Sequence, residues 1–190
     1  MQEPEIAAAL APAAKTVIGG AQFVDDVWSL VASLKTAMRE RGYAWRAVVG
    51  VLRGGLFPAQ RVAEGLGLDY REIHISYYQG LVRQTEPHVI STVDDARGGE
   101  GLLIVDDVLD SGGTALCVRR MLPLCDLAAV YTKPAGLRAV LAAAGAAPFC
   151  GRQMDDKWIV FPWDQSGWDE QSPKLIAAFR ERLSVVQQGG

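Results

Sequence analysis

The densest chemistry in the chain lies in ten consecutive residues, Val105-Asp106-Asp107-Val108-Leu109-Asp110-Ser111-Gly112-Gly113-Thr114. They leave an apolar run, Gly101 to Val105, and enter a stretch, Thr114 to Leu122, that reads as a helix. Gly112 and Gly113 let the backbone turn sharply and approach a ligand closely. Ser111 and Thr114 add hydroxyls, and a helix start offers N–H groups under a favourable dipole. That half of the segment is a cradle for a terminal phosphate. It is not a Gly-Lys-Ser/Thr phosphate loop, because the acids precede the glycines and no lysine follows them. Asp106 and Asp107 would repel a bare polyphosphate. Sugar hydroxyls, however, donate hydrogen bonds to carboxylates, and a divalent cation inverts the local charge preference. A sugar phosphate accompanied by Mg2+ satisfies both halves. A solvated acidic turn capping a helix is the plainer alternative, but three acids and Ser-Gly-Gly-Thr exceed what capping requires.

Other clusters stand at similar junctions. Arg53-Gly54-Gly55 ends the apolar run Ala47 to Leu52. Arg53 supplies a fixed cation suited to phosphate oxygens, with an ordinary surface ion pair as the alternative. Lys133 ends the run Leu127 to Thr132, just before Pro134. Trp158 offers a flat face for stacking on a base, whereas Trp28, Trp163 and Trp168 read as packing residues.

These clusters need a frame. Val24, Val27, Trp28, Val31, Leu34 and Met38 recur at helical spacing over residues 23–41, with Asp25 and Asp26 as an acidic first turn. Strands are expected at 47–52, 71–77, 101–105 and 127–132, and helices at 57–66 and 114–122. The polar stretch 78–99 lacks a clear period and reads as a functional loop or excursion, with room for an edge hairpin. Strand alternating with helix argues for an α/β fold, an open, mainly parallel sheet flanked by helices, with ligands beyond the carboxyl ends of the strands. Residues 1–20 read as a loose lead, 21–186 as one domain with a small hood mainly at 150–170, and 187–190 as a tail.

Composition narrows the function classes. The 190 residues are 49% hydrophobic and 22% charged, ordinary for a globular domain. A formal net charge of -3 argues against a broad nucleic-acid surface but leaves a local anion site open. Cys117, Cys125 and Cys150 have no Cys-x-x-Cys spacing, and His74 and His88 are too far apart for a helical metal pair, so no zinc site is expected. The start, with Glu3 and Glu5, lacks the basic opening of a secretory signal, and no apolar stretch would form a transmembrane segment. A cytoplasmic protein is expected.

The ten-residue segment resembles the phosphoribosyl pyrophosphate (PRPP) signature of the type I phosphoribosyltransferases: apolar strand, two acids, two further residues, an acid, then Ser/Thr-Gly-Gly-Thr. The resemblance spans about Trp45 to Asp164, and within the family it is to the bacterial xanthine-guanine phosphoribosyltransferases. Leu52-Arg53-Gly54-Gly55-Leu56, Ile75-Ser76-Tyr77-Tyr78, Lys133-Pro134-Ala135-Gly136, Asp156-Lys157-Trp158-Ile159 and Pro162-Trp163-Asp164 carry the rest of it.

The resemblance implies transfer of a 5-phosphoribosyl group from PRPP to a purine base, with Mg2+. Asp106 and Asp107 would hold the ribose hydroxyls, with Asp107 also near the metal, and Asp110, Ser111, Gly112, Gly113 and Thr114 would hold the 5-phosphate. Arg53-Gly54 would form the pyrophosphate loop, where the family uses an unusual peptide geometry. Arg83, or else Arg97, would supply a cation from a mobile loop that closes over pyrophosphate. Asp110 sits where the family places a carboxylate close to purine N7 and is the candidate catalytic residue. Lys133 would address the exocyclic oxygen of the base, Trp158 would stack on it, and the Trp158–Ile159 backbone would read its 2-substituent. Asp164 is a second candidate for the metal. The Ala-rich stretch Leu137 to Gln153 is longer than in relatives, which leaves the choice of base open. A homodimer or homotetramer is implied. The alternatives are a different nucleobase acceptor, or a nucleotide-sensing regulator built on this fold, which would need an added DNA-binding segment or a basic face.

Overall fold

The computed structural model describes residues 15–79, 82–95, 97–144 and 146–164. The chain forms two compact units, one of residues 24–155 and one joining 1–23 with 156–190. In chain order the elements are β1 (Lys15–Val17), α1 (Gly20–Arg41), β2 (Ala47–Leu52), α2 (Leu56–Leu66), β3 (Asp69–Gln79), β4 (Val82–Ser91), β5 (Leu102–Leu109), α3 (Gly113–Met121), β6 (Asp126–Thr132), α4 (Pro134–Ala144), β7 (Phe149–Gln153) and β8 (Trp158–Val160).

The larger unit holds a six-stranded sheet in the order β4-β3-β2-β5-β6-β7. Its pairings are parallel except β3 with β4. The parallel neighbours are linked by helices: α2 lies between β2 and β3, α3 between β5 and β6, and α4 between β6 and β7. The central strands are buried on both faces, which explains their nearly unbroken apolar runs. Val49, Val51, Ile73, Ile75, Leu102, Ile104, Leu127 and Ala129 pack with Cys117, Val118 and Val140 in one core. Truncating a residue such as Ile104 to alanine there would cost about 2–5 kcal/mol.

The open, mainly parallel sheet matches the expectation from sequence, while several boundaries move. Residues 82–91 are strand, so within the stretch 78–99 the edge hairpin allowed from sequence is present, with 82–91 as its second arm. Its polarity follows from position, since an edge strand faces water and need not alternate cleanly. The Ala-rich stretch is helix α4, and β7 then pairs with β6, so residues 149–153 belong to this sheet.

Helix α1 begins at Gly20, which moves Asp25 and Asp26 out of its first turn. Asp26 is buried and accepts hydrogen bonds from Tyr131 Oη at 2.8 Å and Arg152 Nη2 at 2.7 Å. A buried carboxylate is tolerated only when paired in this way. The pairing ties α1 to β6 and β7 next to the strand ends that carry Thr132 and Lys133. Burial and the Asp26 carboxylate push the Tyr131 hydroxyl well up from its ordinary value. Trp28, expected in the core, is 44% exposed and lies over Gly65 of α2. In the smaller unit β1 and β8 pair in parallel, and Phe23 packs edge-on against Phe161 and Trp163, which stack on each other.

Candidate active site

Strands β2 and β5 run side by side with Gly50 opposite Val105, so the residues that follow each emerge together at the carboxyl edge. The consequence is direct at Gly54: a Cβ there would collide with the Asp107 carboxylate. The loop expected to address pyrophosphate and the second signature acid therefore touch, and only glycine leaves them room. The Leu52–Arg53 peptide bond is cis. The Arg53 side chain is exposed. His74 lies opposite Leu52 on β3, and burial followed by the nearby Arg53 and His88 charges holds it below its usual value.

Strand β5 runs on to Leu109, four residues past the boundary expected at Val105, so both acids lie within it. Asp106 Oδ1 accepts from Asp107 N at 2.9 Å, and Asp107 Oδ1 accepts from Val108 N at 2.7 Å. Burial, reinforced by the Asp107 carboxylate, raises Asp106 well above the ordinary carboxylate range. Two such carboxylates fit hydroxyl donors or a hard cation, either of which relieves their repulsion. Among the described residues no three His, Cys, Asp or Glu side chains gather into a metal-binding group. The donor set suits a cation like Mg2+, which typically takes one or two carboxylates and completes its shell with phosphate oxygens and water.

The cradle follows. Gly112 has φ 89° and stands at the N-cap of α3, where no side chain caps the helix. That backbone conformation favours glycine. The first N–H groups of α3, with the helix dipole, suit an anion. Ser111 is exposed and Thr114 half-buried. A Cβ on Gly113 would run into the hydroxyl of Tyr77, with Tyr77 Cζ 3.1 Å and Ser111 Oγ 3.8 Å from that point. Tyr77 of β3 thus closes the cradle from the hairpin side. Its sequence position gave no role for it, because the contact joins residues 36 apart, one on β3 and the other at the start of α3.

Lys133 is brought alongside by a backbone hydrogen bond from its N–H to Leu109 O, 2.9 Å. Its side chain is buried, and Nζ lies 2.9 Å from Asp110 Oδ1, whose own side chain is 56% exposed. Two residues selected separately from sequence, the strand-end lysine and the third signature acid, thereby form one ion pair. Beside it is a cavity of about 200 Å³ lined by Thr132, Lys133, Pro134, Leu137, Arg138 and Gln153.

In the smaller unit Trp158 is 60% exposed at the start of β8, and Ile159 is buried. Asp164 closes a turn: its Oδ2 accepts from Phe161 N at 2.9 Å, and its own N–H donates to Phe161 O at 3.0 Å. That leaves Oδ1 for other partners. Arg83 stands on β4 opposite Tyr78, and its side chain is outside the described residues. Arg97 lies in the turn before β5, at the other end of that strand from Asp106. The intervening strand spans about 3.3 Å per residue, so Arg97 is not at this edge.

Comparison with known proteins identifies the family. Residues 23–167 match the phosphoribosyl transferase domain. The chain is 40% identical over 133 residues to a xanthine-guanine phosphoribosyltransferase of Nitratidesulfovibrio vulgaris (strain DP4), covering 70% of this chain and 76% of that protein. Its fold resembles that of a purine phosphoribosyltransferase from Pyrococcus horikoshii Ot3, with TM-score 0.60 and 26% identity over 80% of this chain and 95% of the other. A hypothetical protein from Neisseria gonorrhoeae with bound ppGpp shares the fold, with TM-score 0.65 and 20% identity over 88% and 98% of the two chains.

Proposed function

The chain belongs to the phosphoribosyl transferase family, and from that premise we propose that it is a pentosyltransferase of purine salvage, moving the 5-phosphoribosyl group of PRPP to a 6-oxopurine. The acceptor is xanthine, guanine or hypoxanthine, and the products are the nucleoside monophosphate and pyrophosphate. The observation that carries the reading is the junction of Gly54, Asp107 and the α3 N-terminus at one sheet edge, joined there by the Lys133–Asp110 pair.

In this reading Asp106 and Asp107 accept hydrogen bonds from the ribose hydroxyls. Ser111, Gly112, Gly113 and Thr114 receive the 5-phosphate on the α3 N–H groups, with Tyr77 as the far wall. The bond from ribose C1 to the pyrophosphate oxygen breaks, the bond from C1 to a ring nitrogen forms, and the ring proton leaves. Asp110 is assigned as its acceptor, held in place by Lys133. The carboxylates also tolerate the positive charge that builds on the sugar as pyrophosphate departs. Arg53 and the Arg53–Gly54 backbone face the leaving group, with Arg83 added from the hairpin. Mg2+, bound through Asp107 and assigned also to Asp164, would supply charge neutralisation to pyrophosphate. Trp158 stacks on the base and the Trp158–Ile159 backbone reads its 2-substituent.

Among the described residues no helix is long and apolar enough to cross a membrane. A cytoplasmic homodimer or homotetramer belongs to the same reading, and light scattering would give the subunit number. The central test incubates purified protein with PRPP, Mg2+ and each of xanthine, guanine, hypoxanthine and adenine, following nucleotide and pyrophosphate. Nucleotide from a 6-oxopurine, abolished by chelation, is expected. PRPP binding without product from any base would overturn the reading in favour of a sensing role.

A further inference from the structure

Arg138 has no part in the reading above, yet its side chain lines the cavity beside the Lys133–Asp110 pair. It lies one turn into α4 after Pro134, is exposed, and makes no ion pair among the described residues. The charge of Lys133 is already matched by Asp110 at 2.9 Å, so the cavity's uncompensated charge is the Arg138 guanidinium. Its other polar lining is neutral. Gln153 offers an amide, and the buried Thr132 hydroxyl lies against the Cys150 sulfur, its hydrogen-bond partner. The neighbouring Cys150 thiol gives its hydrogen to Pro148 O.

Resting on the proposed acceptor chemistry, we propose that Arg138 is a specificity-determining residue that biases this cavity toward a 2,6-dioxopurine. Two ring carbonyls make such a base the most acidic of the 6-oxopurines, so it carries more negative charge near neutral pH than hypoxanthine or guanine. A net positive cavity selects for that charge, whichever edge of the base faces the guanidinium. The planar fork of Arg138 also presents several N–H donors to carbonyl oxygens.

The experiment compares kcat/KM for xanthine with that for hypoxanthine in the unmodified protein, Arg138→Gln and Arg138→Lys, at pH 6.5 and 8, with Tm measured alongside. One exposed charge acting across a partly aqueous cavity changes selection by about 3- to 10-fold. The xanthine-to-hypoxanthine ratio is expected to fall by that factor in Arg138→Gln and to be retained in Arg138→Lys. It should rise with pH in the unmodified protein more than in Arg138→Gln. A ratio that survives Arg138→Gln, or that Arg138→Lys lowers as much, would overturn the assignment while leaving the enzyme reading intact. Absence of product from both bases in the unmodified protein would remove the enzyme reading and this inference together.

Discussion

The contact between Gly113 and Tyr77 makes a quantitative prediction about PRPP binding. A methyl group placed on Gly113 would overlap the Tyr77 hydroxyl, at a separation no real Cβ adopts. The colliding atom is the far end of a side chain, so the tyrosine rather than the helix must yield. Overpacking of this kind costs about 1–3 kcal/mol, equivalent to about 5- to 150-fold in an equilibrium constant. With the hydroxyl deleted, the nearest remaining atoms to the added methyl are Tyr77 Cζ at 3.1 Å and Ser111 Oγ at 3.8 Å. The first needs a shift of a few tenths of an ångström, and the second is ordinary contact. Gly113→Ala alone should therefore weaken PRPP binding by most of the quoted range, and the same change made together with Tyr77→Phe should weaken it far less. Titration calorimetry with PRPP and Mg2+ on the two single variants, the double variant and the unmodified protein gives the coupling energy, expected at about 1 kcal/mol or more. Additive effects within about 0.3–0.5 kcal/mol would refute the claim that Tyr77 forms the cradle's far wall.

The remaining predictions concern other groups. Gly54→Ala would drive a methyl into the Asp107 carboxylate, which the Val108 N–H restrains, so turnover should fall by about 100-fold or more while Tm moves little. Full activity would show that the loop and the acid do not act together. Asp110→Asn should lower kcat more than it raises the KM for PRPP, since its assigned role is at the reacting base, and unchanged turnover would remove it from the mechanism. Trp158→Ala should weaken purine binding by about 1–3 kcal/mol if the ring stacks; a loss of Tm alone, by calorimetry, would make it a packing residue. Burial pushes the Cys125 thiol from 9.0 up to about 11. Its raised folded value favours the native state fully below pH 9 and loses that contribution as pH rises through 11. At pH 9.5 Cys125 should resist iodoacetamide in the folded protein and react once unfolded, as read by mass spectrometry; equal labelling would contradict its burial.

The local half of this protein was legible in its sequence. Leu102-Leu103-Ile104-Val105 is strand because such a run can be buried on both faces, and Asp106 to Thr114 brings carboxylates, glycines, hydroxyls and a helix start together because they are consecutive in the chain. Those properties depend on neighbours in sequence, so periodicity and spacing report them. The edge hairpin was allowed in 78–99, but the bounds of its arm at 82–91 were not legible, because a polar edge strand lacks the alternation of a half-buried one. Arg97 was offered for the loop because 78–99 was read as one excursion, whereas the hairpin ends at Ser91 and Arg97 belongs to the turn leading into β5.

Tertiary structure alone decided which residues meet. The parallel register of β2 with β5 sets Gly54 against Asp107, residues far apart in the chain. The Leu109–Lys133 backbone bond brings Lys133 to Asp110, and the course of β3 carries Tyr77 to Gly113. The placement of α4 against the end of β6 leaves Arg138 beside a lysine whose charge is already matched. Sequence determined the chemical types at the sheet edge, because those follow from each residue and its immediate neighbours. Register and packing determined their partners, because a contact between distant segments exists only when the whole sheet has closed around its core.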